Sequence, residues 1–314
     1  MTRPVGGSPV VGLDLGGTKI AAALFAADGT VSSRHTRPTP AGEGPAAVLD
    51  ALAGAAAEVD PEGHATAIGV AAAGVVDPRS GTVTSATESI RGWAGTALGA
   101  GLADRTGLPV ACDNDVRATA GPELAALPDG RGSLLFAAVG TGVGGALAVD
   151  GRMLHGASGI AGHLGHLPSA EAAGLPCTCG ATGHLEVIAS GPGITAHYER
   201  LTGTPVDRLE TVAARAARGD AAAVRAVTTG AEAAGRVLGG LANALGPHRV
   251  VVGGGVPRIG PLYGDALARA FTAELMPPLR GLVPEPPRFG HDAAVTGAAA
   301  LTTTLPLHHP GALR

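Results

Sequence analysis

Lysine is almost missing from this chain: 21 of its 22 basic residues are arginine, and the exception is Lys19. Aromatic residues make up 2% of 314 residues, so a core must be built largely from Ala, Val, Leu and Ile. Only three cysteines occur. Cys177 and Cys179 are one residue apart, a spacing that suits a shared metal better than a mutual disulfide. Cys112 lies in an apolar run and reads as a small buried hydrophobe. Charged residues account for 15% and the formal net charge is -4, so no basic field is available for nucleic acid or an anionic membrane surface. No apolar run is long enough to cross a bilayer. Residues 1–10, broken by Pro4, Gly6 and Gly7, do not resemble a signal peptide. A hydrophobic content of 45% describes a globular protein, expected in the cytoplasm with no nucleic-acid or membrane partner.

A unit of strand, glycine turn and strand occurs twice, at 10–27 and 134–149, each time followed by helical segments. This periodicity predicts α/β architecture in two lobes with a duplicated unit. The boundaries expected are a small lobe over 1–117 and a large lobe over 118–304, whose last helix can return to the small one. Residues 305–314 are expected to fray. Helices are expected at 45–59, 98–106, 115–126, 211–245, 259–275 and 293–303, with Gly230, Gly239 and Gly240 interrupting the fourth.

The first turn is Asp14-Leu-Gly16-Gly17-Thr18-Lys19. Gly16 and Gly17 allow close approach of backbone amides to phosphate oxygens, Thr18 adds a hydroxyl donor, and Asp14 can hold Mg2+ through water. The sole lysine stands where a phosphate would lie. The second turn carries Gly140, Thr141, Gly142 and Gly144. A single glycine-rich hairpin is more often only a turn. Two at matched positions, with Gly254 and Gly255 after a third apolar strand, favour ATP, the last pair cradling the adenosine and Gly297 near the base. A Walker loop and a dinucleotide fold are both disfavoured, because strand leads to strand here and no Gly-x-Gly-x-x-Gly joins a first strand to a helix.

Between Gly156 and Glu186, Cys177, Cys179 and His184, with His166 eleven residues before Cys177, supply two thiolates and two imidazoles. Buried cysteines beside unrelated histidines are the plain alternative. Four ligands within ~20 residues of glycine-punctuated loop favour a closed, structural Zn2+ site. His163 and Glu186 are interleaved with them and left over for a ligand. Asp113-Asn114-Asp115 closes one strand and opens a helix, where either aspartate can serve as a cap.

This cassette resembles that of the ROK family (repressors, open reading frames and sugar kinases), usually Gly-Glu-x-Gly-His and then Cys-x-Cys-Gly-x-x-Gly-Cys-x-Glu. His163 stands where most members carry Glu, and His184 where most carry a third Cys. The run 108–115 resembles the family's Asn-Asp before a helix. The resemblance implies a two-lobed actin/hexokinase-like ATPase fold with an interlobe cleft, a homodimer, and phosphorylation of a sugar 6-hydroxyl by ATP. It maps the general base onto Asp115 and sugar contacts onto Asn114, Gly74, His163, His166 and Glu186. His163 is similar to the branch acting on N-acetylmannosamine, which reads Ala-Gly-His-Ile-Gly-His there. Likeness to that branch extends to 21–29, Pro38-Thr-Pro40, 186–191 and the run from His291 to Leu301. Ser89 departs from the Asn of many members. Glucose or N-acetylglucosamine is the rival substrate. A repressor is disfavoured because Asp14 comes too early for a preceding helix-turn-helix, and a non-catalytic sugar-sensing module because Asp115 and both glycine turns are retained.

Overall fold

The computed structural model describes residues 7–128, 131–290 and 292–311; His291 and 312–314 lie outside the described residues. The chain falls into two compact units, Met1–Leu127 with His155–Ala161 and Phe289–Arg314, and Pro128–Leu154 with Gly162–Arg288. The division comes about ten residues later than the expected 117/118, placing the helix after Asp113-Asn114 in the first unit instead of the second.

In the first unit, β1 (Val10–Leu15), β2 (Lys19–Phe25) and β3 (Val31–Pro38) form an antiparallel meander. α1 (Pro45–Val59) leads to β4 (Ile68–Ala72), and the β5 (Val75–Asp77) and β6 (Thr82–Ser85) hairpin leads to α2 (Leu98–Thr106). β7 (Val110–Asn114) and α3 (Asp115–Ala125) follow. The sheet order is β3-β2-β1-β4-β7, with β1, β4 and β7 parallel. Every residue of β4 and β7 is buried, as parallel strands covered on both faces require, whereas β3 alternates polar residues at the edge. Burial pushes the Cys112 thiol up to about 12, consistent with the inert hydrophobe expected.

The second unit repeats this plan. β8 (Leu134–Val139), β9 (Val143–Val149) and β10 (Arg152–Met153) form a meander, and β8 pairs in parallel with β11 (Arg249–Gly253), which pairs with β12 (Pro284–Glu285). The order β10-β9-β8-β11-β12 copies β3-β2-β1-β4-β7, so the duplication legible in the sequence is a duplication of sheet topology. Helices α4 (Glu186–Ala189), α5 (Gly191–Thr202), α6 (Leu209–Ala217), α7 (Ala221–Leu245) and α8 (Pro261–Glu274) complete the unit. The expected helix over 211–245 is two helices. The break falls at Gly219, with φ +86°, and at Asp220, whose side chain caps α7 by accepting from the Ala222 and Ala223 amides. Gly230 and Gly239 do not interrupt α7. A Cβ there would press on the Ile188 and Phe271 carbonyls at 2.8 and 2.7 Å, so these glycines admit close neighbours.

The chain then returns to the first unit as α9 (Ala293–Thr304). A Cβ on Gly12 or Gly69 would run into the α9 carbonyls of Val295 or Ala298, and one on Gly297 into the Ala118 carbonyl of α3. Gly297 therefore lets α9 pack closely against α3. Residues 305–311 are docked rather than frayed: His308 exchanges backbone hydrogen bonds with Val110 at 2.7 and 2.9 Å, and the Gly311 amide donates to Asp104.

Candidate active site

In the first unit, Asp14, Ala71 and Asp113 stand in register across β1, β4 and β7, one step from the carboxyl ends of the parallel strands. Open α/β sheets bind ligands at that edge. After Asp14 the chain turns through Gly16 to Lys19, closed by the Gly16 amide donating to the Lys19 carbonyl at 3.0 Å. Thr39 braces the turn, its hydroxyl on the Gly16 carbonyl and its amide on the Thr18 carbonyl. Thr18 and Lys19 are exposed at its tip. Burial pushes the Asp14 carboxyl up, an effect the Lys19 charge partly offsets.

Asn114, not either aspartate, caps α3. Its Oδ1 accepts from the amides of Val116 and Arg117, and its Nδ2 donates to the Gly74 carbonyl at 2.9 Å and to Asp115 Oδ1 at 2.7 Å. Gly74 takes φ +101°, and a Cβ there would meet the Ser85 carbonyl at 2.7 Å, so only glycine presents its carbonyl to Asn114. Asp115 Oδ1 also accepts the Val116 amide, while Oδ2 has no partner among the described residues. Burial, reinforced by the nearby Asp14 charge, pushes the Asp115 carboxyl up to about 6. A carboxylate poised there, with one free oxygen, has the properties of a general base.

Sequence reading missed the group beneath this turn. Arg117 is 1% exposed, and its guanidinium donates to Asp113 and to the carbonyls of Val76, Gly159 and Ala161. Asp113 Oδ2 meets His155 Nε2 at 2.8 Å. The Asp113–Arg117 spacing of four was visible as a helix-start ion pair; His155, 42 residues away, gave no local signal.

In the second unit the Gly140 amide donates to the Gly142 carbonyl, the Gly140 carbonyl accepts the Gly191 amide at the start of α5, and Thr141 is exposed. Glu186 is not simply a leftover group: its Oε2 accepts the Val143 amide at 2.9 Å, and a Cβ on Gly142 would sit 2.7 Å from that oxygen. Gly144 lies within β9. Gly254, at φ +98°, lies against the Val139 carbonyl where no Cβ fits, and Gly255 follows it, exposed. His163 precedes a short 3-10 turn, Leu164–His166, makes no capping bond to it with its side chain, and is half-buried.

His166, Cys177, Cys179 and His184 bring one ligand atom each to within 4.8 Å of one another. Zinc bonds of about 2.0–2.3 Å in a tetrahedron set donor-to-donor edges of about 3.3–3.8 Å. Cys177 Sγ to His166 Nδ1 is 3.6 Å and Cys179 Sγ to His184 Nδ1 is 3.3 Å, so these two edges match a zinc tetrahedron and the two thiols and two imidazoles are ligand types that suit the ion. Burial pushes the Cys177 thiol up, with the Cys179 thiol adding to the shift; a cation reverses that preference. Glu171, in the loop between the ligands, pairs with Arg236 of α7 and ties the loop to the helix.

Duplicated β-meanders with parallel strands added, glycine hairpins after the first strand of each, and a carboxylate at a strand edge define the actin/hexokinase-like class of ATPase folds. The ROK family model matches residues 10–304, and the chain belongs to that family. It is 35% identical to the N-acetylmannosamine kinase of Shigella boydii, over 92% of this chain and 96% of that one. The ROK hexokinase from Thermus thermophilus superposes with a TM-score of 0.82 at 35% identity, covering 93% of this chain and 97% of that one. A ROK family glucokinase from Streptomyces griseus, solved with glucose and AMPPNP, gives 0.76 at 29% identity over 93% and 98%. Among the described residues, no helix is long and apolar enough to cross a membrane.

Proposed function

We propose that this chain transfers the γ-phosphoryl group of ATP to the 6-hydroxyl of N-acetylmannosamine. The observation that carries the reading is Asp115: a carboxyl raised to about 6, anchored through Oδ1 and open at Oδ2. Oδ2 accepts the hydroxyl proton as O6 forms its bond to phosphorus and the bond from phosphorus to the ADP oxygen breaks. Asn114 holds Asp115 with the same amide that holds Gly74, so a sugar contact by Asn114 runs through a side chain already fixed. The hairpins at Gly16, Gly17, Thr18 and Lys19, and at Gly140, Thr141, Gly142 and Gly144, are assigned to phosphates, and Gly254 and Gly255 to the adenosine. Mg2+, when bound with ATP, neutralises developing phosphate charge, and Asp14 is placed to hold it through water. His166, Cys177, Cys179 and His184 would hold zinc, whose role with four protein ligands would be structural, bracing the loop between His163 and Glu186.

Relatives named for hexoses and for N-acetylmannosamine are similarly distant, so the substrate rests on the name of the Shigella relative and on His163. An imidazole offers one donor and one acceptor where a carboxylate would only accept. Glucose is the second reading, favoured by the 29% identity with the Streptomyces griseus glucokinase solved with glucose. Coupled ADP release with magnesium ATP over N-acetylmannosamine, N-acetylglucosamine, mannose and glucose decides between them. The highest kcat/KM is expected for N-acetylmannosamine. A glucose preference keeps the kinase and removes the His163 argument; no turnover on any sugar removes both.

A further inference from the structure

The most completely satisfied buried charge described above has no part in the proposed chemistry. The Arg117 guanidinium donates from Nε to Asp113 Oδ1, from Nη1 to the carbonyls of Gly159 and Ala161 and from Nη2 to the carbonyl of Val76, and Nη2 also pairs with Asp113 Oδ1 at 2.7 Å. The second Asp113 oxygen faces His155 Nε2. A buried arginine committed this fully is costly to desolvate and fixes its partners in one geometry. Three of those partners, Gly159, Ala161 and His155, belong to the stretch His155–Ala161, and the chain passes from Ala161 through Gly162 to His163. The same two residues touch the catalytic turn. Asp113 Oδ1 accepts the Asn114 amide, and the Arg117 amide donates to Asn114 Oδ1. Gly159, at φ +71°, lies where a Cβ would come 3.1 Å from the Val76 carbonyl, so the stretch is held close on that side too.

We propose that Asp113, Arg117 and His155 form a clamp that positions the Asn114–Asp115 turn for the sugar. They are positioning residues: none needs to touch substrate. The inference rests on the sugar-kinase reading. It predicts an effect on sugar recognition separate from nucleotide recognition, because no clamp partner belongs to either glycine hairpin.

His155 is the residue to change first, since it is partly accessible and its loss leaves the Arg117–Asp113 pair intact. His155→Ala is expected to raise KM for N-acetylmannosamine about tenfold, as loss of one charge-assisted hydrogen bond and a small misplacement would. KM for ATP should stay within about twofold, and bound zinc should not change. His155→Gln, which keeps a donor toward Asp113, should recover most of the loss. Arg117→Lys, which cannot reproduce the fork, should show a larger effect in the same sense if it folds. An active wild type whose His155→Ala variant shows unchanged sugar KM, or equal changes for sugar and ATP, overturns the clamp and leaves the kinase standing. A wild type that turns over no sugar overturns the kinase reading and the clamp together.

Discussion

Asp115 carries opposed demands on one side chain. In the fold it binds its proton more tightly than in the unfolded chain, where a carboxyl titrates in the ordinary range. Its contribution to stability is therefore present at low pH and is lost as pH rises through about 6. Asp115→Asn keeps an acceptor for Val116 and Asn114 and removes the ionisation. The variant should lose about 10²–10⁴-fold in kcat. Its Tm should exceed that of wild type by roughly 2–4 °C near neutral pH and show no gain near pH 4, read by calorimetry at both. In wild type, kcat/KM should rise through about pH 6, as the base ionises, where an unburied carboxylate would have reached its plateau earlier. At this scale the sequence was legible where chemistry is local. The four candidate metal ligands and the Asn-Asp turn stand within short spacings. The Asn114 cap and the His155–Asp113 pair depend on how a turn closes and on a contact across 42 residues, which no spacing encodes.

Among the elements, the loop from His166 to His184 is held by turn and bridge hydrogen bonds such as Ser169 to Gly183 and Cys177 to Ala181, without an α-helix or a strand of a sheet. It consists of short 3-10 turns and isolated bridges, with Glu171–Arg236 as its tie to α7. The four ligands are expected to supply the rest. Elemental analysis should give one zinc per chain, Cys177→Ser should abolish it, and chelation should lower Tm with the proton release that thiolate ligation implies. A chain retaining full Tm after complete zinc removal would make the metal incidental. α9 poses the opposite problem, contact so close that side chains are excluded. Gly297→Ala places a methyl against the Ala118 carbonyl, and either α9 or α3 must move. A loss of about 1–3 kcal/mol is expected in denaturant unfolding. Glycine was misleading here from sequence alone. Gly230 and Gly239 looked like helix breaks, because the missing side chain is explained by a neighbour the sequence does not name.

The molecule as a whole is built from one sheet plan used twice, and that much was readable from the recurring strand, turn and strand. The division into units was less so, because the first unit takes three separated pieces of chain. A fragment spanning 1–127 holds the sheet and every residue of the Asp14 and Asp115 groups but lacks α9. Gly12 and Gly69 would then open onto water instead of onto the Val295 and Ala298 carbonyls. Such a fragment should show weak, non-cooperative thermal unfolding by circular dichroism, and adding a peptide covering 289–311 should restore a transition. A cooperative transition from the fragment alone would show that α9 is dispensable. The same discontinuity has a meaning in time. A chain is made from its amino end at about 5–20 residues per second, so the 177 residues between 127 and the end of α9 at 304 take roughly 10 to 35 seconds to follow. During that interval the nascent first sheet leaves the ribosome with one face uncovered.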